Sequence, residues 1–353
     1  MKKAVGERRK ATGRKQIAGM EDKMKTRKLV LLLLCYLLLL FPSDLHAQAK
    51  GLRELNTSYP LGGSTSFFWV AHRSGSFEKY GLKLKPVYIR GSVTAIQSLL
   101  AKELFIQMEA GAAGIRAWAR GAKEITFIGA VGNRLDYVLV TIPSIRKAED
   151  LKGKRIGVSQ IGASSDFIAR YAVRQLGLNP EKDAAVIAAG GMGQRWAALT
   201  GGHIEATVVQ PPYTLLARKS GYPVLIDISK QDFQYPISAV LTTRSFIRSD
   251  PETVMNFMRG LSDGMDFYRD EANKDKVIQY LGEYYRSNAR EELEETRRAY
   301  SQVTPGLPVI TAKSIENVIV NDKDLSGMSL SPVEILDLSF LQRLEKERPA
   351  KGR

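Results

Sequence analysis

Cysteine and histidine are almost missing from this chain: 353 residues hold one cysteine, Cys35, and three histidines. A single cysteine excludes an intramolecular disulfide framework and a cysteine-based zinc site. Of the histidines, only His72 and His203 lie beyond residue 49. His72 follows a short apolar helix and His203 falls in a helix-to-strand turn, positions that suit surface or capping roles better than a catalytic base. A Gly-x-Ser-x-Gly nucleophile elbow is absent, since Gly62-Gly63-Ser64-Thr65-Ser66 and Gly162-Ala163-Ser164-Ser165-Asp166 both lack the second glycine. There is no phosphate-binding Gly-x-x-x-x-Gly-Lys-Ser/Thr loop, and Gly191-Met192-Gly193 lacks the third glycine of a dinucleotide fingerprint. No carboxylate clustering suggests a metal cage, so neither metal nor cofactor is expected. Long apolar runs are missing too: the longest uncharged one, Leu29 to Phe41, falls short of the roughly 20 residues that span a bilayer.

What is present is positive charge and ample core. Lys and Arg number 52 against 37 Asp and Glu, a net +15, and 44% of residues are hydrophobic, which excludes wholesale disorder. The charge is unevenly placed. Residues 1–49 hold eleven Lys/Arg and four Asp/Glu, +7, leaving +8 for the remainder. In that first segment Lys25-Thr26-Arg27-Lys28 precedes the apolar run, and Ala47-Gln48-Ala49 follows it. A basic stretch, an apolar stretch and an Ala-x-Ala site form a secretory signal peptide, with cleavage expected after Ala49 and a periplasmic destination; an uncleaved anchor is the alternative. Cys35 lies inside the apolar stretch, so the mature chain would carry no cysteine. Residues 1–23 are long for a basic leader, and Met20 and Met24 are candidate starts. The residual +8 contains no basic run interleaved with aromatics, so nucleic acid is not an expected partner. It points weakly to an anionic ligand.

Beyond Lys50 the sequence alternates β-branched runs with amphipathic helices. Strands are predicted at Arg53–Asn56, Leu82–Ile89, Leu104–Met108, Ile125–Ala130 and Tyr137–Val140, with helices opening after Ser66 and at Ser92, the second presenting Val93, Ile96, Leu99 and Leu100 on one face. A second unit follows Pro143: strands Arg155–Val158, Ala185–Ala188 and Ala206–Val209, helices Ser164–Leu176 and Gln194–Leu199, then a strand at Ile237–Thr242. Everything after Asp250-Pro251 reads as helical, with Val254, Phe257, Met258, Leu261 and Met265 as one buried stripe behind an Asp cap and a Pro at the first position. Alternation in both units predicts two open α/β sheets. An internal echo supports paired lobes: the helix–turn–strand around Leu99 to Ile106 parallels that around Leu199 to Ala206.

In open α/β sheets ligands sit beyond the carboxyl ends of strands. There the sequence places junctions of small residues, Gly62 to Ser66, Gly91-Ser92 and Gly162 to Ser165, that expose helix N–H groups to a ligand oxygen. Tyr59, Phe67, Trp69, Tyr213 and Tyr235 lie at or beside predicted strand ends and could cover a ligand. Arg134, near the passage between units, could clamp an anion; Arg195 and Arg90 are rivals for that role.

Glu149-Asp150-Leu151-Lys152-Gly153-Lys154-Arg155-Ile156-Gly157-Val158 followed by Gly162-Ala163-Ser164-Ser165 resembles periplasmic substrate-binding proteins of ABC importers, in the branch serving sulfonates, taurine, nitrate and thiamine-pyrimidine precursors. Gly75 to Leu82, Ala198 to Ala206 and Pro211-Pro212 add to the likeness, which covers about Leu52 to Leu344. One departure is Glu103-Leu104-Phe105, where the first-lobe turn usually has a glycine and an acidic strand start. The resemblance implies a type II bilobed fold: residues 50–140 and 239–345 forming lobe 1, 141–238 lobe 2, 346–353 a polar tail, the chain crossing twice, and closure about the hinge trapping the ligand. It carries the ligand contacts to Ser64, Thr65, Ser92 and Ala112 in the first lobe and Ser164, Ser165 and Gln210 in the second. It implies a monomer that hands a small organic ligand to an ABC permease and its ATPase, touching the membrane through that permease. A ligand-sensing subunit is the nearest alternative, and an enzyme on the same scaffold a more distant one.

Overall fold

A computed structural model describes residues 51–109, 111–303 and 306–348. The expected signal peptide, Cys35, the cleavage site and the end of the polar tail lie outside the described residues. Strand and helix alternate from the start: β1 (Arg53–Tyr59), α1 (Ser66–Arg73), β2 (Leu82–Tyr88), α2 (Ser92–Leu100), β3 (Ile106–Glu109), α3 (Gly111–Ala119) and β4 (Ile125–Arg134). Then come β5 (Val138–Thr141), β6 (Lys154–Val158), α4 (Ser164–Gln175), β7 (Ala184–Ala188), α5 (Met192–Thr200), β8 (Ala206–Val209), α6 (Tyr213–Lys219), β9 (Val224–Asp227) and β10 (Gln234–Thr243). The rest is helical: α7 (Arg244–Ser249), α8 (Pro251–Arg269), α9 (Lys274–Tyr285), α10 (Arg290–Val303), α11 (Ala312–Asn321), α12 (Pro332–Ile335) and α13 (Ser339–Glu347).

The strands form two five-stranded sheets of matching plan, β2-β1-β3-β10-β4 and β7-β6-β8-β5-β9. In each, three parallel strands are followed by an antiparallel one that the other half of the chain sends across. The crossings lie at 135–137 and 228–233. Both fall before the boundaries read from the sequence, after residues 140 and 238. Val138 pairs with Val209 and Asp227, so β5 belongs to the second sheet, and Gln234 pairs with Arg134, so the start of β10 belongs to the first. β5 is buried throughout, and a fully buried apolar run carries no sign of which sheet it joins.

Helix α2 buries Ser92, Ala95, Ile96 and Leu99, while Leu100 is exposed and Val93 half-buried, which corrects the expected face. The helix begins at Ser92, and spacing of three and four from there selects Ala95 over Val93. The α8 stripe forms as predicted: Asp250 accepts the Thr253 N–H at 3.2 Å, and Val254, Phe257, Met258, Leu261 and Met265 are fully buried. This stripe packs on α1 and the back of the first sheet with Phe67, Phe68 and Phe77. A second core continues from α2 and α3 of the first sheet through the crossings into the second sheet, around Phe167, Ile168, Val208 and Tyr235.

Candidate functional site

A cavity of about 70 Å³ lies where the strand carboxyl ends of the two sheets face each other. The first sheet supplies Pro60 and Leu61 after β1, Tyr88 to Ser92 from the end of β2 onward, and Glu109 at the end of β3; the second supplies Ser159, Ser164, Ser165, Gly191, Met192 and Arg195, with Tyr137 of the crossing between them. Helices α2, α4 and α5 all begin at this cavity. Their leading residues Gly91, Ala163 and Gly191 offer no side-chain cap of their own, although Gln194 Oε1 accepts the Gly191 N–H at 3.0 Å. The positive dipole ends of these helices are directed at the cleft.

The lobes already touch across this cleft. The Ser164 N–H donates to the Ser92 hydroxyl at 3.2 Å, Gln160 Nε2 to the Thr94 hydroxyl at 3.3 Å, and Arg90 Nη1 to Gln194 Oε1 at 3.0 Å. Arg195, one helical turn into α5, is 3% exposed, and its Nε and Nη1 find no hydrogen-bond partner among the described residues. Burial lowers its pKa, opposed by the field of Tyr137, Tyr88 and Tyr213. Burial raises the Tyr88 phenol, with Arg195 among the groups pulling it back.

A second cavity, about 600 Å³, lies against the crossings and is lined by Ser64, Asn133, Arg134, Asp136, Gln234 and Tyr300 among others. Consecutive residues of one crossing therefore face different cavities: Asp136 lines this one and Tyr137 the cleft. Asp136 accepts from the Tyr300 hydroxyl at 2.6 Å and from Gln210 Nε2, yet burial dominates and raises its pKa.

Of the residues singled out in the sequence, Ser92, Ser164 and Ser165 line the cleft, and Ser64 and Arg134 line the hinge cavity. Ser64 and Thr65 are occupied with Ser238, at 2.6 and 3.1 Å. Arg134 is exposed and pairs with Asp232 at 2.7 Å. Gln210 ties the lobes together, its Oε1 accepting the Gly63 N–H at 3.3 Å while its Nε2 serves Asp136. Tyr59 sits in an aromatic cluster with Phe68, Trp69, Tyr88 and Tyr284. Tyr213 rests on Trp196. Tyr235 is fully buried on Phe167, accepts the Ala112 N–H at 3.3 Å, and has its phenol pushed up to about 12 by burial. It is a core residue because β10 starts at Gln234, earlier than read, so Tyr235 is already inside the sheet. Sequence reasoning missed Glu109 and Tyr137, which only the meeting of β3 with the crossing brings to the cleft.

Among the described residues no group of His, Cys, Asp and Glu is arranged to hold a metal ion, and no helix is long and apolar enough to cross a membrane.

Comparison with known proteins agrees with this architecture. No curated protein sequence matches the chain. Among solved structures, the alkanesulfonate-binding protein SsuA from Xanthomonas axonopodis pv. citri bound to MOPS is similar with a TM-score of 0.68 and 16% identity, over 82% of this chain and 99% of that one. The periplasmic nitrate-binding protein NrtA from Synechocystis PCC 6803 aligns with a TM-score of 0.70 and 10% identity, over 84% and 89%. The desulfurization enzyme DSZB aligns with a TM-score of 0.61 and 13% identity, over 84% and 100%. The fold is that of periplasmic binding proteins, two α/β lobes with a helical C-terminal region, as the sequence predicts. Residues 59–282 match the model of the NMT1-like family, and the chain belongs to that family.

Proposed function

We propose that the protein is an extracytoplasmic receptor that captures a small ligand between its lobes and delivers it to an ABC permease powered by its ATPase. The observation that carries this reading is the cleft cavity, built from strand ends and three helix N-termini contributed by both lobes. Such a site is complete only when the lobes close, so ligand binding and closure are one equilibrium, and a transporter can read the closed shape. The similar binding proteins named above bind an alkanesulfonate and nitrate, which supports a small organic or inorganic solute as cargo. The receptor acts as a monomer in the periplasm after removal of its signal peptide at Ala49.

Mass spectrometry of the natively purified protein tests this by seeking a carried-over small molecule. Added back to stripped protein, that molecule is expected to raise the melting temperature with concentration as binding to the folded state alone requires. Consumption of the molecule at catalytic protein concentration would overturn the transport reading in favour of an enzyme, a role the same fold carries in DSZB.

A further inference from the structure

Ligand capture in the cleft leaves the cavity at the crossings unused, although its volume of about 600 Å³ is that of a site for a small organic molecule. Its charges do not cancel. Arg134 and Asp232 pair with each other at 2.7 Å, which leaves Asp136 as the remaining carboxyl on the wall. Asp136 is half-buried, and its side-chain partners are neutral: the Tyr300 hydroxyl donates to Oδ2 at 2.6 Å and Gln210 Nε2 donates to Oδ1. Among the described residues no Lys, Arg or His forms an ion pair with it, and no cation opposes the upward pull of burial on its pKa. The titratable groups that feel its charge are the phenols of Tyr300, Tyr285 and Tyr137, which burial holds neutral. A carboxylate has about four acceptor positions, so these two neighbours leave room for further donors.

We infer that this cavity is a second ligand site, distinct from the cleft, and that it takes a small organic cation whose ammonium group is held by Asp136. A protonated amine brings the counter-charge that Tyr300 and Gln210 cannot supply, and its hydrogen bonds to a carboxylate are charge-assisted. Asn133 adds an acceptor on the same wall: its Oδ1 is buried and has no hydrogen-bond partner among the described residues. Leu135 of the crossing and Ile237 of β10 give the carbon skeleton an apolar surface. An anion would meet no comparable partner, since Arg134 is exposed and already paired with Asp232. Asp136 and Tyr137 are consecutive in one crossing and line different cavities, so the two sites are separate. The hinge site stands whatever the cleft carries.

The test is calorimetry on the natively purified protein with benzylamine and n-butylamine, each against its neutral match, benzyl alcohol and 1-butanol. At pH 7.5 each amine is expected to bind more tightly than its alcohol by a factor of about ten or more. Asp136→Asn keeps the shape of the side chain and removes its charge, so amine affinity is expected to fall about tenfold, to that of the alcohol. Gln302→Lys sets a cation at an exposed position of the cavity rim, where the fold is not at stake. It is expected to weaken the amines severalfold and leave the alcohols unchanged. Wild-type affinity for the amines should also fall severalfold from pH 7.5 to pH 4.5, because a protonated carboxyl no longer attracts the cation, and Asp136→Asn should lack that dependence. Alcohols bound as tightly as amines, amines not bound at all, or amine affinity unchanged in Asp136→Asn would each overturn the proposal and leave the receptor reading of the cleft standing. Consumption of the carried-over molecule would do the reverse, removing the receptor reading while amine binding at Asp136 upholds this site.

Discussion

The amide of Ser164, at the start of a second-lobe helix, donates to the hydroxyl of Ser92, at the start of a first-lobe helix, at 3.2 Å. Two helix N-termini, each the positive end of its dipole, are thus brought together and joined by one serine. Their mutual repulsion favours an anion between them. Ser92→Ala removes the hydroxyl that accepts the Ser164 N–H across the cleft in the closed form. The loss of about 1 kcal/mol falls on closure, so ligand affinity should drop roughly fivefold while the unliganded melting temperature stays within a degree or two. A fall in melting temperature with no change in affinity would place this contact in the fold and not in the closing step.

Arg116 is a different kind of joint. Its Nε donates to Asp322 at 2.6 Å, its Nη1 to the Gly162 carbonyl of the second lobe at 2.6 Å, and Asp166 lies 3.9 Å away. Asp322 is enclosed, and burial raises its pKa against the pull of Arg116. Arg116→Met would strand that carboxylate, and breaking a buried pair costs about 3–5 kcal/mol. Urea unfolding should show this loss at pH 7. At pH 4.5 the loss should shrink, because a protonated Asp322 no longer needs the cation. Equal losses at both pH values would sink the argument.

Asp136 links acidity to the crossing. Its carboxylate accepts from Tyr300 and Gln210, no lysine or arginine hydrogen bonds to it among the described residues, and burial raises its pKa above the ordinary 3.8. A raised carboxyl contributes stability that is complete below its unfolded value and is lost as pH rises through its folded value. Asp136→Asn keeps the shape and cannot ionise. Its stability relative to wild type should therefore rise between pH 4 and pH 7.5, by on the order of 1 kcal/mol, as measured by paired urea titrations. A constant difference across that range would mean that Asp136 titrates as an ordinary surface acid.

Periodicity made most strands and helices legible, because burial on one face repeats at two or at three and four residues whatever the partner is. It could not say which sheet receives Val138 to Thr141, since a strand buried on both faces has no polar side. The serine and glycine junctions were legible as helix starts, and Ser92, Ser164 and Ser165 do line the cleft. Part of their work is internal: the Ser165 hydroxyl holds the Ser159 N–H at 2.8 Å. Arg195 and Arg134 could not be ranked by sequence, because each stands near a predicted junction. What separates them is that α5 carries Arg195 inward at the cleft while Arg134 faces Asp232 and solvent. That difference is set by how the lobes meet, which no local pattern records.

The internal echo was legible and proves exact at the backbone turn. After α2 the Lys102 N–H donates to the Leu99 carbonyl at 3.1 Å and Glu103 to Ser98 at 3.0 Å; after α5 Gly202 donates to Leu199 at 3.1 Å and His203 to Ala198 at 2.8 Å. Gly202 has φ of +73°, and Lys102 is held at φ +61° in the same place. The first lobe thus makes with lysine a left-handed turn that the second makes with glycine. A side chain in that region costs about 1 kcal/mol, and Lys102 is exposed and forms no ion pair among the described residues to offset it. Lys102→Gly removes the strain at the expense of greater freedom in the unfolded chain, a smaller term of about 0.5–1 kcal/mol relative to alanine. The variant should be as stable as wild type or more so, by up to about 0.5 kcal/mol. Gly202→Lys, which installs the same strain in the second lobe, should be less stable by a similar amount. Denaturant melts of the two variants should move in opposite directions, and movement in the same direction would mean that the two turns, alike in geometry, differ in what supports them.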